Sequence, residues 1–182
     1  NLLYISVAAG VNLEQLNSYS EKNIAIVRCM PNTPAIIRAG ITALIANQNV
    51  TELQRSDAEN LLTAVGKTVW LNKESLMDAV TAISGSGPAY FFMLIELLEC
   101  CAVELGLSAE LAKELAVQTA YGACKLARNA SESPGELREN VTSPNGTTEA
   151  ALRVFAAEEI DRIVKSAVTA ARDRSIELAK GN

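Results

Sequence analysis

Residues 141–149, Val-Thr-Ser-Pro-Asn-Gly-Thr-Thr-Glu, crowd four hydroxyl side chains around a Pro-Asn-Gly turn. Helical spacing of apolar residues resumes directly after it, so the loop stands at a helix start. Such a start exposes unpaired N–H groups and partial positive charge, which can hold a carboxylate or phosphate without a cationic side chain. Hydroxyls at Ser143, Thr147 and Thr148 would add directed donors. The plainer alternative is a helix N-cap after a tight turn, where the same residue types are favoured. One cap needs one such residue, and here there are four.

Two further segments have the same ambiguity. Ser84-Gly85-Ser86-Gly87-Pro88-Ala89-Tyr90 is no dinucleotide fingerprint, because G-x-G-x-x-G would need glycine at position 90 and a strand before it. It marks a place where backbone can approach a ligand or another chain, with Pro88 restarting a helix; a simple helix break reads the same way. Met30-Pro31-Asn32-Thr33-Pro34 follows a predicted strand, and Ala8-Ala9-Gly10 follows another. Ligands of open α/β sheets lie outside the carboxyl ends of strands. Two turn-forming segments on one edge therefore point to a cofactor across it, although each alone is an ordinary βα loop. The pairs Glu158/Glu159, Glu96/Glu99 and Glu110/Glu114 have the spacing of solvated helix faces and read as non-catalytic. The sequence contains no histidine, which excludes Ser-His-Asp and Cys-His catalysis, His-ligated zinc and imidazole acid–base steps. No metal site is expected.

The elements that must position these segments change character along the chain. Apolar runs at residues 2–7, 24–28, 41–46 and 68–71 suit strands covered on both faces. Between the last two lies a helix, with Thr51 and Gln54 as a capping box and Gly66 fitting the C′ position. From residue 73 strand signals stop. Residues 75–106 are helical by period with an interruption at 84–88, a second helix runs from an N-cap at Ser108 to about Arg128, and a short one starts at Ser133-Pro134 with Glu136 closing a capping box. A last helical stretch runs from 148 to about 180. This predicts α/β followed by all-α, with domains at residues 1–72 and 73–182. Residues 90–95 are apolar all round, which calls for packing on every side, against a second subunit or within the chain's own bundle.

Composition sets outer bounds. The 182 residues are long enough to bury a core without disulfides or a structural metal. A net charge of −5 argues against a nucleic-acid or anionic-membrane partner. Cys29, Cys100, Cys101 and Cys124 sit in apolar surroundings without a C-x-x-C pair, as expected of buried free thiols in a reducing compartment. No secretory leader opens the sequence and the longest apolar run, 88–95, is far short of a membrane span. A soluble, cytoplasmic protein is expected.

Five ordered motifs carry a family resemblance over nearly the whole chain. They are Ala8-Ala9-Gly10-Val11; Met30-Pro31-Asn32-Thr33-Pro34 with Gly40-Ile41-Thr42-Ala43; Ile83-Ser84-Gly85-Ser86-Gly87-Pro88-Ala89-Tyr90; Ser133-Pro134-Gly135-Glu136-Leu137-Arg138; and Val141-Thr142-Ser143-Pro144-Asn145-Gly146-Thr147-Thr148. The chain resembles pyrroline-5-carboxylate reductases. The resemblance implies the C-terminal portion of a Rossmann-like cofactor domain, followed by a helical-bundle dimerisation domain that interlocks with a second subunit, in homodimers that can assemble into rings. It implies reduction of 1-pyrroline-5-carboxylate to L-proline by NADPH or NADH, the last step of proline biosynthesis. Residue by residue, it implies that the substrate loop begins at Val141, that Ser143, Gly146 and Thr147 hold the substrate carboxylate, and that Thr148 sets its hydroxyl against the ring nitrogen. Ala9, Met30 and Asn32 would line the ribose and nicotinamide end of the cofactor, with Ser86 and Gly87 near the substrate face. A hydride transfer to an iminium carbon also fits a chain without histidine.

Two departures stand out. Asn145 occupies the place where the family commonly has a second glycine, and Asn is the non-Gly residue that best tolerates a left-handed conformation. The Gly-rich nucleotide fingerprint on the family's first βα turn has no counterpart in residues 1–182, so this chain is expected to bind the cofactor pyrophosphate poorly or not at all, and to be inactive by itself. Competing readings are a non-catalytic helical dimerisation module, and a related dehydrogenase acting on another imine or a hydroxy acid. The second would call for a helix-borne active-site lysine, and neither Lys113 nor Lys125 lies in a matching motif.

Overall fold

The computed structural model describes residues 2–19 and 24–181. Four strands form one sheet in the order β1 (Leu3–Ser6), β2 (Ala25–Met30), β3 (Gly40–Ala46), β4 (Gly66–Trp70). All four apolar runs became strands. β1 and β2 are parallel and joined through helix α1 (Leu13–Ser18); β3 and β4 are parallel and joined through α2 (Glu52–Thr63). β2 and β3 are antiparallel. Their link is one short 3-10 turn, Thr33–Ile37, too short for the crossover that a parallel pair needs.

Alternation along β2 and β3 sorts their side chains onto two faces. Val27, Cys29 and Leu44 pack with Ala58 of α2. Met30, Ala43 and Ile45 face the other way, against Met77, with Leu13 of α1 beside them. Both inner strands are thus covered on both faces, whereas the outer strands expose Tyr4 and Val69. Burial pushes the Cys29 thiol up to about 12, which leaves it protonated and unreactive at neutral pH. All four cysteines are free, but Cys100, Cys101 and Cys124 are exposed, contrary to expectation: they lie on helix faces that no described residue covers.

Gly66 does not serve as the C′ residue of α2, which is capped by Ala64. It opens β4 at φ 153°, in register with Gly40, and a Cβ there would stand 2.1 Å from the Gly40 carbonyl oxygen. Two facing glycines let the strands begin at this close approach.

The interruption expected at residues 84–88 is a widened turn instead of a break. After a 3-10 turn (Glu74–Leu76) and α3 (Met77–Val80), residues Thr81–Gly85 form a π turn that runs into α4 (Gly87–Glu104). Ser86 N–H reaches back five residues to the Thr81 carbonyl at 2.8 Å. Pro88 has no N–H to give and its ring would crowd a normal turn, so the wider ladder accommodates it. The helical stretch 74–104 is therefore 31 residues long and, by length and composition, apolar enough to cross a membrane; counting only the run 88–95 missed this.

The remaining helices are α5 (Ala109–Asn129), α6 (Pro134–Asn140), α7 (Thr147–Ala157) and α8 (Ile160–Gly181). Ser108 and Ser133 cap α5 and α6 as read from sequence, and Glu136 completes the α6 capping box, its carboxyl held below the usual range by Ser133. The last stretch is two helices where one was expected. Glu159 adopts φ 50°, a left-handed conformation that re-aims the chain between α7 and α8.

Two compact units result, one of residues 1–88 with 166–182 and one of residues 89–165. The first contains the sheet and both core clusters. Its end helix is tied in by Ser175 Oγ donating to the Asp78 carboxylate at 2.7 Å and by Gln15 Nε2 donating to the Ala179 carbonyl at 3.2 Å. The second has only Ala112 and Ala116 buried among its described residues, while Phe91, Phe92, Leu97 and Leu98 are each more than half exposed. Residues 90–95 are thus not the centre of the chain's own bundle. Two buried alanines cannot stabilise a helical unit of this size.

Candidate active site

Because β1 and β2 run parallel, the turn at Ala8–Gly10 and the segment from Met30 leave the sheet on the same edge. Ala8 and Ala9 are exposed, and Gly10 takes φ 74°. Asn32 is half-buried; its Oδ1 accepts the Ile41 N–H at 2.9 Å, which pins the Pro31-Asn32 corner to the start of β3. Met30 is buried, and its sulfur would lie 3.8 Å from a Cβ placed on Gly85. The π turn is thus brought against the end of β2. Beside it Ser86 is half-buried and Gly87 buried, yet a Cβ on Gly87 would meet nothing within 4 Å. Small residues, open space at Gly87 and the carboxyl ends of two parallel strands form an edge a flat ring could lie along. Ala9, Met30, Asn32, Ser86 and Gly87 therefore belong to one unit of the structure.

The hydroxyl-rich loop lies in the other unit. Val141 caps the end of α6 and is exposed. Thr142 turns its hydroxyl onto the Arg138 carbonyl at 2.6 Å, which ends α6. Asn145 takes φ 59°, the left-handed conformation that its residue type suggests. Gly146 N–H bonds the Ser143 carbonyl at 3.0 Å, and a Cβ on Gly146 would come within 2.9 Å of that same oxygen. A glycine is needed there. Gly146 is also the N-cap of α7 and, having no side chain, leaves the first turn of the helix without a side-chain cap. Ser143 and Thr147 are exposed and Thr148 half-exposed at this start.

A family model described as pyrroline-5-carboxylate reductase dimerisation matches residues 74–178. The chain belongs to the pyrroline-5-carboxylate reductase family. A pyrroline-5-carboxylate reductase of Pseudomonas aeruginosa is 48% identical over 178 residues, 98% of this chain and 65% of that protein. One from Haemophilus influenzae is 44% identical over 97% of this chain and 65% of its own length. This chain thus spans less than two-thirds of these relatives. Among solved structures, the Coxiella burnetii reductase superposes with a TM-score of 0.93 at 42% identity, over 97% of this chain and 66% of that one. A Plasmodium falciparum pyrroline carboxylate reductase, solved with NADP bound, gives 0.91 at 33% identity over 97% and 70%.

In this family member, sequence reasoning missed the groups that hold the segments in place. Arg28 points to the Met30 face of β2, is 6% exposed, and pairs with Glu74 at 2.7 Å. The same Glu74 oxygen accepts the Leu13 N–H at 2.8 Å. One carboxylate thus ties β2, the start of α1 and the start of the 74–104 helical stretch. An arginine inside an otherwise apolar strand was the available signal, since a buried guanidinium needs a partner. Lys125, weighed above as a catalytic lysine, lies over the Tyr121 ring of its own helix at 5.5 Å.

Proposed function

We propose that this chain is the greater part of an oxidoreductase that reduces 1-pyrroline-5-carboxylate to L-proline with NADPH or NADH. The observation that carries the reading is the loop at 143–148 in a member of this family: a left-handed Asn145, an obligatory Gly146 and a helix start with no side-chain cap. On this reading residues 1–72 are part of the cofactor domain, and residues 73–182 form the helical dimerisation and substrate domain. The Thr147 N–H and the Ser143 hydroxyl bind the substrate carboxylate at the turn that Gly146 closes; Val141 flanks them. Thr148 donates or accepts at the ring nitrogen and fixes the imine for attack at its carbon. Ala9, Met30, Asn32, Ser86 and Gly87 fit the flat nicotinamide end of the cofactor, which when bound supplies the hydride.

The exposed apolar helices support a homodimer as the working form; on this reading it works in the cytoplasm. A second copy is the occupant that matches the family description, and it accounts for the length and apolarity of residues 74–104 without a bilayer. Light scattering is expected to give twice the chain mass. Phe92→Glu, at a position 63% exposed in the single chain, is expected to shift that mass to the monomer value.

The activity is tested in a chain completed with the remaining segment of the Pseudomonas aeruginosa relative. Pyrroline-5-carboxylate should be turned over with reduced nicotinamide, while simple 2-keto acids should not. Turnover of keto acids alone would favour the hydroxy-acid alternative.

A further inference from the structure

We infer that Glu149 is a positioning residue that sets the shape of the 143–148 loop for an anionic ligand; this rests on the proposed reading of that loop as the carboxylate site. Asn tolerates the left-handed region better than other non-glycine residues, and at φ 59° Asn145 turns its N–H toward the start of α7. Its N–H donates to Glu149 Oε2 at 2.7 Å, a short charge-assisted bond. Where a full capping box exists, at Gln15, Gln54 and Glu136, the third helical residue reaches back to the N–H of the cap itself. Glu149 reaches one residue further, past Gly146 to Asn145. The Gly146 N–H is meanwhile turned onto Ser143. The turn is closed from inside by these two bonds, and the first-turn N–H groups of α7 receive no side-chain cap.

The carboxylate has an opposing effect as well. Its charge stands at the helix start where the ligand's own carboxylate would bind, and among the described residues only Arg153, 3.8 Å away and three-quarters exposed, pairs with it. Geometry and charge therefore pull in opposite directions, and they can be separated. Glu149→Gln keeps an acceptor for Asn145 and removes the charge. Glu149→Ala removes both.

In the 182-residue chain, Glu149→Ala is expected to speed amide hydrogen exchange at Asn145 by about tenfold, and Glu149→Gln to keep it within about twofold of the parent. In the completed chain, Glu149→Ala should raise KM for pyrroline-5-carboxylate about fivefold with kcat within about twofold, whereas Glu149→Gln should have a KM at or below the parent's. Unchanged exchange at Asn145 in Glu149→Ala overturns the inference. So does an equal KM rise in both variants, because a role in geometry alone spares Gln. A parent chain that does not reduce pyrroline-5-carboxylate refutes the proposed function instead, and the exchange comparison still decides whether Glu149 holds the loop.

Discussion

Thr148→Ala is expected to slow reduction of pyrroline-5-carboxylate by about a hundredfold in the completed enzyme, equivalent to about 2.7 kcal/mol of barrier. The structure separates this hydroxyl from others in the chain. Thr81, Ser84 and Thr142 each donate to a backbone carbonyl four residues back, at 2.8, 3.0 and 2.6 Å. Those hydroxyls are committed to the backbone. Thr148 sits in the first turn of α7, half-exposed, and makes no side-chain hydrogen bond among the described residues. Its removal should therefore change stability by less than about 0.5 kcal/mol. The loss should fall on kcat. Thr148→Ser should recover most of the rate, and Thr148→Val, which keeps the shape and drops the hydroxyl, should behave like the alanine variant. A valine variant with the parent's turnover would remove Thr148 from the chemistry.

Glu74→Ala is expected to have the largest effect on stability, about 3 kcal/mol by urea unfolding. Removing one partner of a buried ion pair leaves the other charge without compensation, and the Arg28 guanidinium is only 6% exposed. The Leu13 N–H loses its acceptor in the same step. The expectation lies at the low end of the usual range because the Glu74 side chain is 30% exposed, so water can partly reach the site. Glu74→Gln keeps one acceptor oxygen for the two donors that share Oε1 and removes the charge, and should cost about half as much. A loss below about 1 kcal/mol in Glu74→Ala would mean that solvent replaces the carboxylate and that the tie between β2, α1 and the helical stretch is weak. Since Met30 lies two residues from Arg28, and the π turn begins seven residues after Glu74, loosening this tie should also reach the edge formed by Met30 and the π turn.

What the sequence made legible was local or periodic. The four strands followed from unbroken apolar runs, and the caps at Thr51, Ser108 and Ser133 followed from residues within one turn of each helix start. The left-handed Asn145 was readable because only a few residue types tolerate that conformation. Glu159 at φ 50° was not, since glutamate carries no such preference and its geometry is imposed by how α7 and α8 must separate. The π turn was hidden because Ser-Gly-Ser-Gly-Pro is also what a true helix break looks like. Glu74 was missed for a different reason: its partners lie 46 and 61 residues away in sequence, and no local pattern encodes such a distance. In the candidate site, residue types were readable while the backbone that arms them was not. Gly146 stood out as a turn glycine, but the 2.9 Å approach to the Ser143 oxygen that makes it obligatory is a property of the folded loop.

The most direct measurement is the position of label in the product. The completed chain is supplied with pyrroline-5-carboxylate and nicotinamide cofactor deuterated at the transferable hydride, and proline is analysed by mass spectrometry and NMR. Hydride transfer to the imine carbon predicts one deuterium per proline, at C5, with the label almost absent in Thr148→Ala over the same interval. Proline lacking deuterium at C5, or no proline at all from a folded dimer, would contradict the proposed reaction.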